Sequence, residues 1–443
     1  MRPDGGAPGA PGVAVGSADL RADLRLAVDR LVAERGDEMV DDLLAAVSHA
    51  SINPTRAPGG GEGVGEGPFQ EFLLGLCRAK GLPAAAQGTG LPGRPNVEVE
   101  LAGDPGRHSL LLNSHCDVVT ADEPGWAHPP FEPRIVDGSV VGRGASDAKG
   151  SLMAMLEALW VAREVAGEGL GTVTLTSVVD EEAGGGGTAA WLQRRETVGG
   201  ALPDAAIVGE PTGLRPAIVT RGARSFHLRV RGRGAHAGEA YEGVNAVRLA
   251  MRYVDALEEL HQELAVRADP RLWPGLATPY VFNLGRVQGG DSFGSVAAEC
   301  EVEGVVGWVP PDTLESMSEE VEKAVDAVTV SDPWLAGHPP EWRWGWLAFD
   351  AGRTPEGHEL VRLLGEEAAS RGLPAEPCGL MAGTDMRLLV VRGGIPTVNF
   401  GPGDMAQGHS ANERLPLDEY LDAIRILAHV ILRWCSTPRR GDP

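Results

Sequence analysis

Leu110-Leu-Leu-Asn-Ser-His115-Cys-Asp117 is a short apolar run that ends abruptly in a histidine and an aspartate. A run of this length and composition is typical of a buried strand. An imidazole and a carboxylate directly after such a strand are typical of the edge of a metal site. The stretch therefore predicts a core strand whose carboxyl end leads into a candidate site.

A second stretch and three shorter ones extend this candidate site. Gly142-Arg-Gly-Ala-Ser-Asp147-Ala-Lys-Gly150 places a carboxylate in a glycine-rich turn, directly before a helical pattern over residues 152–165. Glycine allows the backbone to approach a ligand closely. Further along the chain come Asp180-Glu181-Glu182, Gly209-Glu210-Pro211 and Gly408-His409-Ser410. Each motif alone is common by chance, and the set together indicates one site.

Composition limits the class of protein. The chain has 443 residues, more than one compact core usually holds, which predicts two domains. Hydrophobic residues make up 43%, and no apolar run approaches the length that crosses a bilayer, so we expect a soluble protein with no membrane partner. The net charge of −23 disfavours nucleic acid as a partner.

The cysteines and the N-terminal residues favour the cytoplasm. Five cysteines are scattered without a Cys-x-x-Cys pair, which argues against a disulfide framework and against a thiolate zinc site. Residues 1–17 are rich in Gly, Pro and Ala and lack a basic region followed by an apolar core. We therefore predict a disordered tail there and not a secretory signal.

Strands and helices alternate in the first part of the chain. Strand patterns at residues 97–101, 109–113, 172–179 and 205–208 are separated mainly by helical patterns. This order predicts an α/β layer with a mostly parallel sheet. The sequence also leads us to expect that 109–113 lies directly beside 97–101 in that sheet.

The pattern changes after Thr212. Residues 225–231 alternate between apolar and polar side chains, and the strands and helices that follow predict an α+β block with an antiparallel sheet. The Pro- and Trp-rich residues 332–346 are expected to form a connector. The prediction is a metal-binding α/β catalytic domain interrupted by an inserted α+β domain. Its bounds are 1–17 for the tail, 18–215 for the first catalytic part, 216–346 for the insert and 347–443 for the second catalytic part.

Polar residues follow four of the predicted strands at the point where each strand ends. In open α/β sheets this edge binds ligands, so His115, Glu181, Glu182, Glu210 and His409 should lie together. Two imidazoles and several carboxylates without a thiolate suit Zn²⁺, Mn²⁺ or Co²⁺. A carboxylate with both oxygens free can bridge two such cations. The two adjacent glutamates could divide the work, one binding metal and the other moving protons.

The ordered set of motifs resembles the dinuclear zinc hydrolase family of acetylornithine deacetylase, succinyl-diaminopimelate desuccinylase, aminoacylase and carboxypeptidase G. The resemblance covers nearly the whole chain after about Leu43, with the motifs in the family's order. The matching stretches are His115-Cys-Asp117, Gly142-Arg-Gly-Ala-Ser-Asp147-Ala-Lys-Gly150, Asp180-Glu-Glu-Ala-Gly-Gly185, Val208-Gly-Glu-Pro-Thr212, Gly234-Ala-His-Ala-Gly238 and Gly408-His-Ser410.

The resemblance implies two divalent metal ions per chain, with Zn²⁺ first and Co²⁺ or Mn²⁺ as alternatives. It implies that Asp147 bridges the two ions. Glu182 and His409 would complete one site, and His115 and Glu210 the other. A water held between the two ions would then attack an amide carbonyl.

The resemblance also implies roles for residues that do not bind metal. Asp117 would orient the imidazole of His115, and Glu181 would be the general base that takes a proton from the water. The inserted domain would be the family's lid and dimerisation domain. It would aim His236 and Asn283 at the developing oxyanion or at the substrate, and Thr384 would lie in a turn near the substrate.

Two alternatives on the insert stay open at this point. Arg221 and Arg224 could bind a substrate carboxylate, because a guanidinium suits that geometry, or could be surface salt-bridge partners. His236 could act within its own chain or, as in dimeric members of the resembled family, reach the site of a second subunit. Strands such as 225–231 could pair edge to edge across a two-fold axis to form that homodimer.

The implied function is hydrolysis of the amide bond of an N-acyl amino acid or a related small amine. A dipeptidase or carboxypeptidase with the same fold is the alternative. Glu210 stands where aminopeptidase relatives of the resembled family carry aspartate, which favours a deacylase or a carboxypeptidase. A non-catalytic binding relative is disfavoured because all implied ligands and Glu181 are present.

Overall fold

A nine-stranded mixed sheet forms the centre of the fold, in a computed structural model that describes residues 18–439 except residues 58, 62, 123 and 168. The tail predicted for residues 1–17 lies outside the described residues. The helices are α1 (Ala18–Val47), α2 (Gly67–Ala79), α3 (Lys149–Ala166), α4 (Gly186–Val198), α5 (Ala246–Leu264), α6 (Leu314–Ser331), α7 (Pro333–Gly337), α8 (Glu359–Ala369) and α9 (Leu417–Cys435). The strands are β1 (Ala84–Gln87), β2 (Asn96–Leu101), β3 (Leu110–His115), β4 (Arg134–Val136), β5 (Ser139–Val141), β6 (Val173–Val178), β7 (Ala205–Val208), β8 (Ala217–Thr220), β9 (Gly222–Arg231), β10 (Val281–Gly289), β11 (Glu299–Trp308), β12 (Glu341–Phe349), β13 (Gly352–Arg353), β14 (Cys378–Leu380), β15 (Thr397–Asn399) and β16 (Arg414–Pro416).

The strand order of the large sheet is β1-β2-β6-β3-β7-β15-β8-β13, with β14 also paired to β8. The four central strands β6, β3, β7 and β15 run parallel, whereas β1, β2 and β13 are antiparallel to their neighbours. The predicted α/β class with a mainly parallel sheet is confirmed. The predicted pairing of 109–113 with 97–101 is wrong, because β6 returns after helix α3 and inserts between β2 and β3.

Helices on both faces of the sheet explain the continuous apolar run of β3. All six residues of β3 are buried. Leu110 and Leu112 belong to the large core that includes α3 and α9, whereas Leu111 packs with Trp191 and Leu192 of α4 on the opposite face. A strand covered on both faces has no solvent side and therefore shows no polar alternation. This packing fixes the end of β3, where the candidate site begins.

A second sheet has the order β10-β11-β9-β12 and is antiparallel throughout. Helices α5 and α6 pack against one another and contact this sheet. Two predictions about it are wrong. Residues 225–231 lie in β9, which is paired on both sides, so β10 and β12 are the edge strands. Residues 332–346 form α7 and most of β12 and are not a connector. Within this Pro- and Trp-rich stretch, Trp342 and Trp344 alternate with charged residues, which is a strand pattern.

Strand pairing bears on where the two predicted domains would meet. β8 belongs to the large sheet although it lies beyond residue 215, and β12 continues to Phe349, beyond residue 346. The division into a catalytic domain and an insert stays a prediction, with its bounds better drawn after Thr220 and Phe349.

Among the helices of the described residues, none combines the length and the apolar character that crossing a bilayer requires.

A small sheet of order β16-β5-β4 connects two distant parts of the chain. Arg414 pairs with Val141, and Pro416 pairs with Ser139. β5 leads directly into the glycine-rich turn that carries Asp147, and β16 begins five residues after His409. The pairing therefore brings the loops of these two residues to the same place.

Candidate metal centre

The carboxyl ends of the four parallel central strands meet at one edge of the large sheet. His115 is the last residue of β3, and Glu181 and Glu182 follow β6. Glu210 comes two residues after β7, and His409 lies in the loop after β15. Because β6, β3, β7 and β15 are consecutive neighbours, all these side chains approach the same edge.

Two groups of possible ligand atoms share a single residue. His115, Asp147 and Glu210 form one group, and Asp147, Glu182 and His409 form the other, with the ligand atoms of each group within 4.8 Å of one another. One Asp147 carboxylate oxygen lies 3.2 Å from Nε2 of His115, and the other lies 3.6 Å from Nε2 of His409. Asp147 thus lies between the two groups, as a bridging carboxylate would.

The second group opens toward solvent. Nε2 of His409 lies 3.0 Å from a carboxylate oxygen of Glu182, and the His409 side chain is 52% exposed, whereas Glu182 is buried. His409 has a φ of +58°, a left-handed conformation that costs free energy for a residue other than glycine. The loop therefore holds this imidazole toward the cluster at some conformational cost.

Asp117 connects the first group to the two glutamates. Its carboxylate oxygens accept the backbone N–H groups of Glu181 and Glu182, each at 3.1 Å, and the side-chain amide of Asn53 at 2.7 Å. Nδ1 of His115 lies 3.0 Å from the backbone oxygen of Asp117 and 3.6 Å from its carboxylate. Asp117 contacts His115 mainly through its backbone, and its fully buried carboxylate holds the turn that carries Glu181 and Glu182.

Glu181 interacts electrostatically with His115 but belongs to neither ligand group. Burial raises the pKa of its carboxyl well above the ordinary value; His115 and Arg387 oppose this shift, and Asp385 and Glu182 add to it. One carboxylate oxygen of Glu181 lies 3.7 Å from the guanidinium of Arg387. A carboxylate beside a candidate metal site can accept a proton from a water and return it to a leaving group.

Arg387 is a site residue that sequence reasoning missed. It is 5% exposed, and its guanidinium lies 5.0 Å from the ring centre of Phe349. It follows the Gly383-Thr-Asp385 turn by two residues, and only that turn could have drawn attention to it. Neighbouring Asp385 is also buried and accepts the Thr188 hydroxyl at 2.6 Å.

The electrostatics of this edge fit divalent cations. Burial raises the pKa of Glu210 well above its ordinary value; His115 opposes the shift, and the Glu181 and Asp147 carboxylates add to it. Burial lowers the pKa of the His115 imidazole, but the carboxylates of Asp117 and Asp147 outweigh this and raise it well above its ordinary value. Buried carboxylates that repel each other are stabilised by cations, so the donor set suits two metal ions.

Two predicted residues of the insert are exposed in the single chain. His236 is exposed, and its Nδ1 accepts the backbone N–H of Gly238 at 3.1 Å. Asn283 is exposed on edge strand β10, opposite Val305 of β11. Among the described residues, neither forms a hydrogen bond or an ion pair with a candidate ligand.

The remaining predicted substrate-binding residues differ in whether their polar groups already bind other groups of the protein. Thr384 is 1% exposed, and its hydroxyl lies 2.8 Å from the Asn399 side-chain oxygen, so this hydroxyl is engaged inside the protein. Arg224 stacks 4.2 Å from the ring centre of Trp344 and donates to Ser318 at 2.5 Å. Arg221 is half-buried, and within the described part of the chain no carboxylate lies within ion-pair distance of it.

Two carboxylate–imidazole groups share one aspartate at this sheet edge, and a further glutamate lies beside them. This arrangement is typical of hydrolases that use a pair of metal ions. Comparison with known proteins agrees. The chain matches the family described as peptidase family M20/M25/M40 over residues 111–433, and it belongs to that family. It is a metal-dependent hydrolase that acts on C–N bonds.

One relative is similar along almost its entire length. The N-formyl-4-amino-5-aminomethyl-2-methylpyrimidine deformylase of Halalkalibacterium halodurans is 30% identical over 421 residues, which cover 90% of this chain and 96% of the relative.

Solved structures share the fold at lower identity. A tripeptidase from Staphylococcus aureus has a TM-score of 0.70 and 20% identity, covering 90% of this chain and 98% of its own. A metallo-carboxypeptidase from Sulfolobus solfataricus has a TM-score of 0.69 and 20% identity, covering 90% and 99%. At this identity the likeness establishes the fold alone.

Proposed function

We propose that this protein hydrolyses the amide bond of an N-acylated small amine, and that its first candidate substrate is an N-formyl aminomethylpyrimidine. The observation that carries this proposal is the 30% identity to a deformylase with that substrate over 96% of the relative's length. A deformylase is a deacylase that removes a formyl group, which is the smallest acyl group, so this substrate fits the predicted chemistry. The reaction would release formate and a primary amine.

We propose that His115, Asp147 and Glu210 hold one divalent cation and that Asp147, Glu182 and His409 hold the other. When bound, the two cations would supply a water of lowered pKa and polarise the amide carbonyl. Zn²⁺ suits two imidazoles and three carboxylates, and Co²⁺ and Mn²⁺ are alternatives for the same donors.

Glu181 is the proton carrier of the proposed mechanism. Its raised pKa matches a carboxylate that takes a proton from the attacking water and gives it to the leaving nitrogen. The Arg387 guanidinium at 3.7 Å limits how far the Glu181 carboxylate can turn away. Asp117 fixes the backbone under this pair of glutamates, so Glu181 stays oriented toward the reacting atoms.

We propose that His236 completes the site in a homodimer. Its exposure in the single chain supports this proposal, because an imidazole exposed to solvent is free to reach a second subunit. Asn283 lies on the same insert and would accompany it. Since β9 is interior, the subunits would meet through an edge strand, β10 or β12.

A second candidate substrate class carries a carboxylate, as N-acyl amino acids and dipeptides do. Arg221 favours it, because its guanidinium is partly buried and no carboxylate in the described residues lies within ion-pair distance of it. Its backbone N–H donates to Ala382, directly before the Gly383-Thr-Asp385 turn. A free guanidinium in that position suits a substrate carboxylate. Arg224, engaged with Trp344 and Ser318, is the weaker candidate.

We propose a cytoplasmic location. All five cysteines are free thiols, and Cys77, Cys116, Cys300 and Cys435 are buried. Unpaired cysteines are typical of a reducing compartment.

A substrate panel tests the proposed function. Protein loaded with Zn²⁺ or Co²⁺ would be incubated with an N-formyl aminomethylpyrimidine, N-formyl, N-acetyl and N-succinyl amino acids, and dipeptides, and amine release would be measured. The proposal predicts the highest kcat/KM for the formylated pyrimidine. Preference for a carboxylate-bearing substrate, lost in Arg221→Met, would favour the second candidate. Hydrolysis of none of these by metal-loaded protein would contradict both.

A further inference from the structure

Glu413 accepts four hydrogen bonds around the turn that carries Asp147. Its side chain is fully buried. One carboxylate oxygen accepts the backbone N–H groups of Ser146 at 2.8 Å and Asp147 at 2.9 Å. The other accepts the backbone N–H of Gly144 at 3.0 Å and the Arg143 guanidinium at 2.8 Å. A single carboxylate therefore holds three backbone N–H groups between residue 144 and residue 147.

The same residue belongs to the loop of the other candidate imidazole ligand. Glu413 follows His409 by four residues and directly precedes β16. Its backbone oxygen accepts the N–H of Gly142 at 2.9 Å, which continues the pairing of β16 with β5. Arg143 also donates to the backbone oxygen of Ser410 at 3.3 Å. Glu413 thus joins the Asp147 turn to the His409 loop.

We propose that Glu413 is a positioning residue that fixes Asp147 for both metal ions, an inference that rests on the proposed two-metal function. Asp147 is the member that the two ligand groups share, so a displacement of its backbone moves a ligand of both ions at once. Charge-assisted hydrogen bonds to backbone N–H groups are strong and directional. Groups that orient metal ligands in this way contribute about 10–100-fold to metal affinity.

Glu413→Gln is the variant that tests this role. The glutamine amide has the same shape, but it replaces one accepting oxygen with an NH₂ group, which faces two donors. We expect both ions to bind about 10–100-fold more weakly, in parallel, because the shared ligand is displaced. His409→Ala, in contrast, should weaken mainly the ion held with Glu182.

Glu367 provides a matched control. It is 1% exposed, lies on α8, and pairs with Arg25 and Arg433 at 2.6 Å each. Glu367→Gln also removes a buried carboxylate, but one that pairs with two guanidinium groups and lies away from the metal centre. It should lower the melting temperature and leave metal affinity at the wild-type value. A general effect of losing a buried glutamate would appear in both variants.

The measurement is titration of metal-free protein with Co²⁺, followed by the absorption of bound Co²⁺ and by the metal content after dialysis. Parallel loss of both ions in Glu413→Gln, with wild-type affinity in Glu367→Gln, supports the positioning role. Wild-type affinity in Glu413→Gln, a loss confined to one ion, or an equal loss in Glu367→Gln overturns it.

Two further outcomes keep the test decisive. If Glu413→Gln does not fold, Glu413→Asp keeps the charge but withdraws the carboxylate by one methylene. A smaller parallel loss of both ions is then expected, and wild-type affinity would overturn the proposal. If the wild-type protein itself binds no Co²⁺, the proposed two-metal function fails, which separates that failure from a failure of the Glu413 inference.

Discussion

The carboxylate of Asp117 accepts the backbone N–H of Glu182 at 3.1 Å, and its other oxygen accepts that of Glu181 at the same distance. Asp117 comes two residues after the end of β3, and the glutamates follow β6. This contact makes the geometry of a candidate ligand and of the candidate base depend on one side chain in a neighbouring loop.

Asp117→Asn should therefore weaken metal binding. The amide keeps the size of the side chain, but one oxygen becomes a donor that faces an N–H of the glutamate turn. We expect metal affinity to fall by about 10–100-fold, as measured by dialysis and metal analysis. Asp204→Asn is the control, because Asp204 accepts the backbone N–H of Ser109 at the opposite end of β3. Equal metal loss in both variants would argue against a specific role for Asp117.

Glu181→Gln should abolish most turnover while metal content stays near the wild-type value. Glutamine keeps the size and polarity of the side chain but cannot accept a proton from water. The expected fall in kcat is about 10²–10⁴-fold, the usual contribution of general base catalysis. Steady-state kinetics and metal analysis on the same sample check this. Loss of a metal ion would instead mean that Glu181 and Glu182 have exchanged roles.

The sequence could predict the candidate site because its chemistry is local. Each candidate ligand lies at the end of an apolar strand, in the loop that follows one, or in a glycine-rich turn. Parallel strands deliver such residues to one edge whatever the exact register. Arg387 could not be found this way, because its approach to Glu181 depends on how the segment after β14 packs. The hydrogen bonds of Asp117 and Glu413 depend on backbone N–H directions, which no residue pattern encodes.

Long-range pairing was the part of the fold that the sequence did not reveal. A strand that returns after a helix can insert between two earlier strands, as β6 does between β2 and β3. The alternation of 225–231 indicated one polar face and was compatible with either an edge or an interior strand. The Trp residues of β12 alternate with charged residues, but the prolines before them favoured a connector.

His429 should make the protein less stable in mild acid. Burial lowers the pKa of its imidazole to about 4, with Glu367 and Asp29 opposing this shift and Arg25 and Arg371 supporting it. In the unfolded chain the ordinary value is near 6.5, so as the pH falls below that value protons bind the unfolded state first. The contribution of His429 to the free energy of unfolding therefore keeps its full value above pH 6.5 and decreases as the pH falls from 6.5 toward 4.

The size of this effect can be measured by thermal or urea unfolding at pH 7.5 and pH 5. The pKa difference corresponds to a loss of about 2 kcal/mol in the free energy of unfolding over that interval. His429→Leu fills the buried position without a titrating group and should show a smaller pH dependence by that amount. An unchanged pH dependence in the variant would exclude His429 as its source.

The trans role proposed for His236 predicts complementation between two inactive chains. His236→Ala lacks the imidazole, and Glu181→Gln lacks the base. In a mixed dimer one site would combine an intact Glu181 with an intact partner His236, so activity should appear after subunit exchange. The test is the rate of amide hydrolysis after mixing, with exchange followed by labelled subunits. Exchange without recovered activity would mean that His236 acts within its own chain or not at all.

Metal stoichiometry tests the central claim most directly. Metal-free protein would be reloaded with Zn²⁺ and dialysed, and its metal content and its rate of amide hydrolysis would be measured on the same sample. The two ligand groups that share Asp147 predict two ions per chain, loss of hydrolysis on chelation and its return on reloading. His409→Ala should retain the ion of the His115 group and lose the other. Full hydrolytic activity in a sample verified to be free of metal would contradict the account.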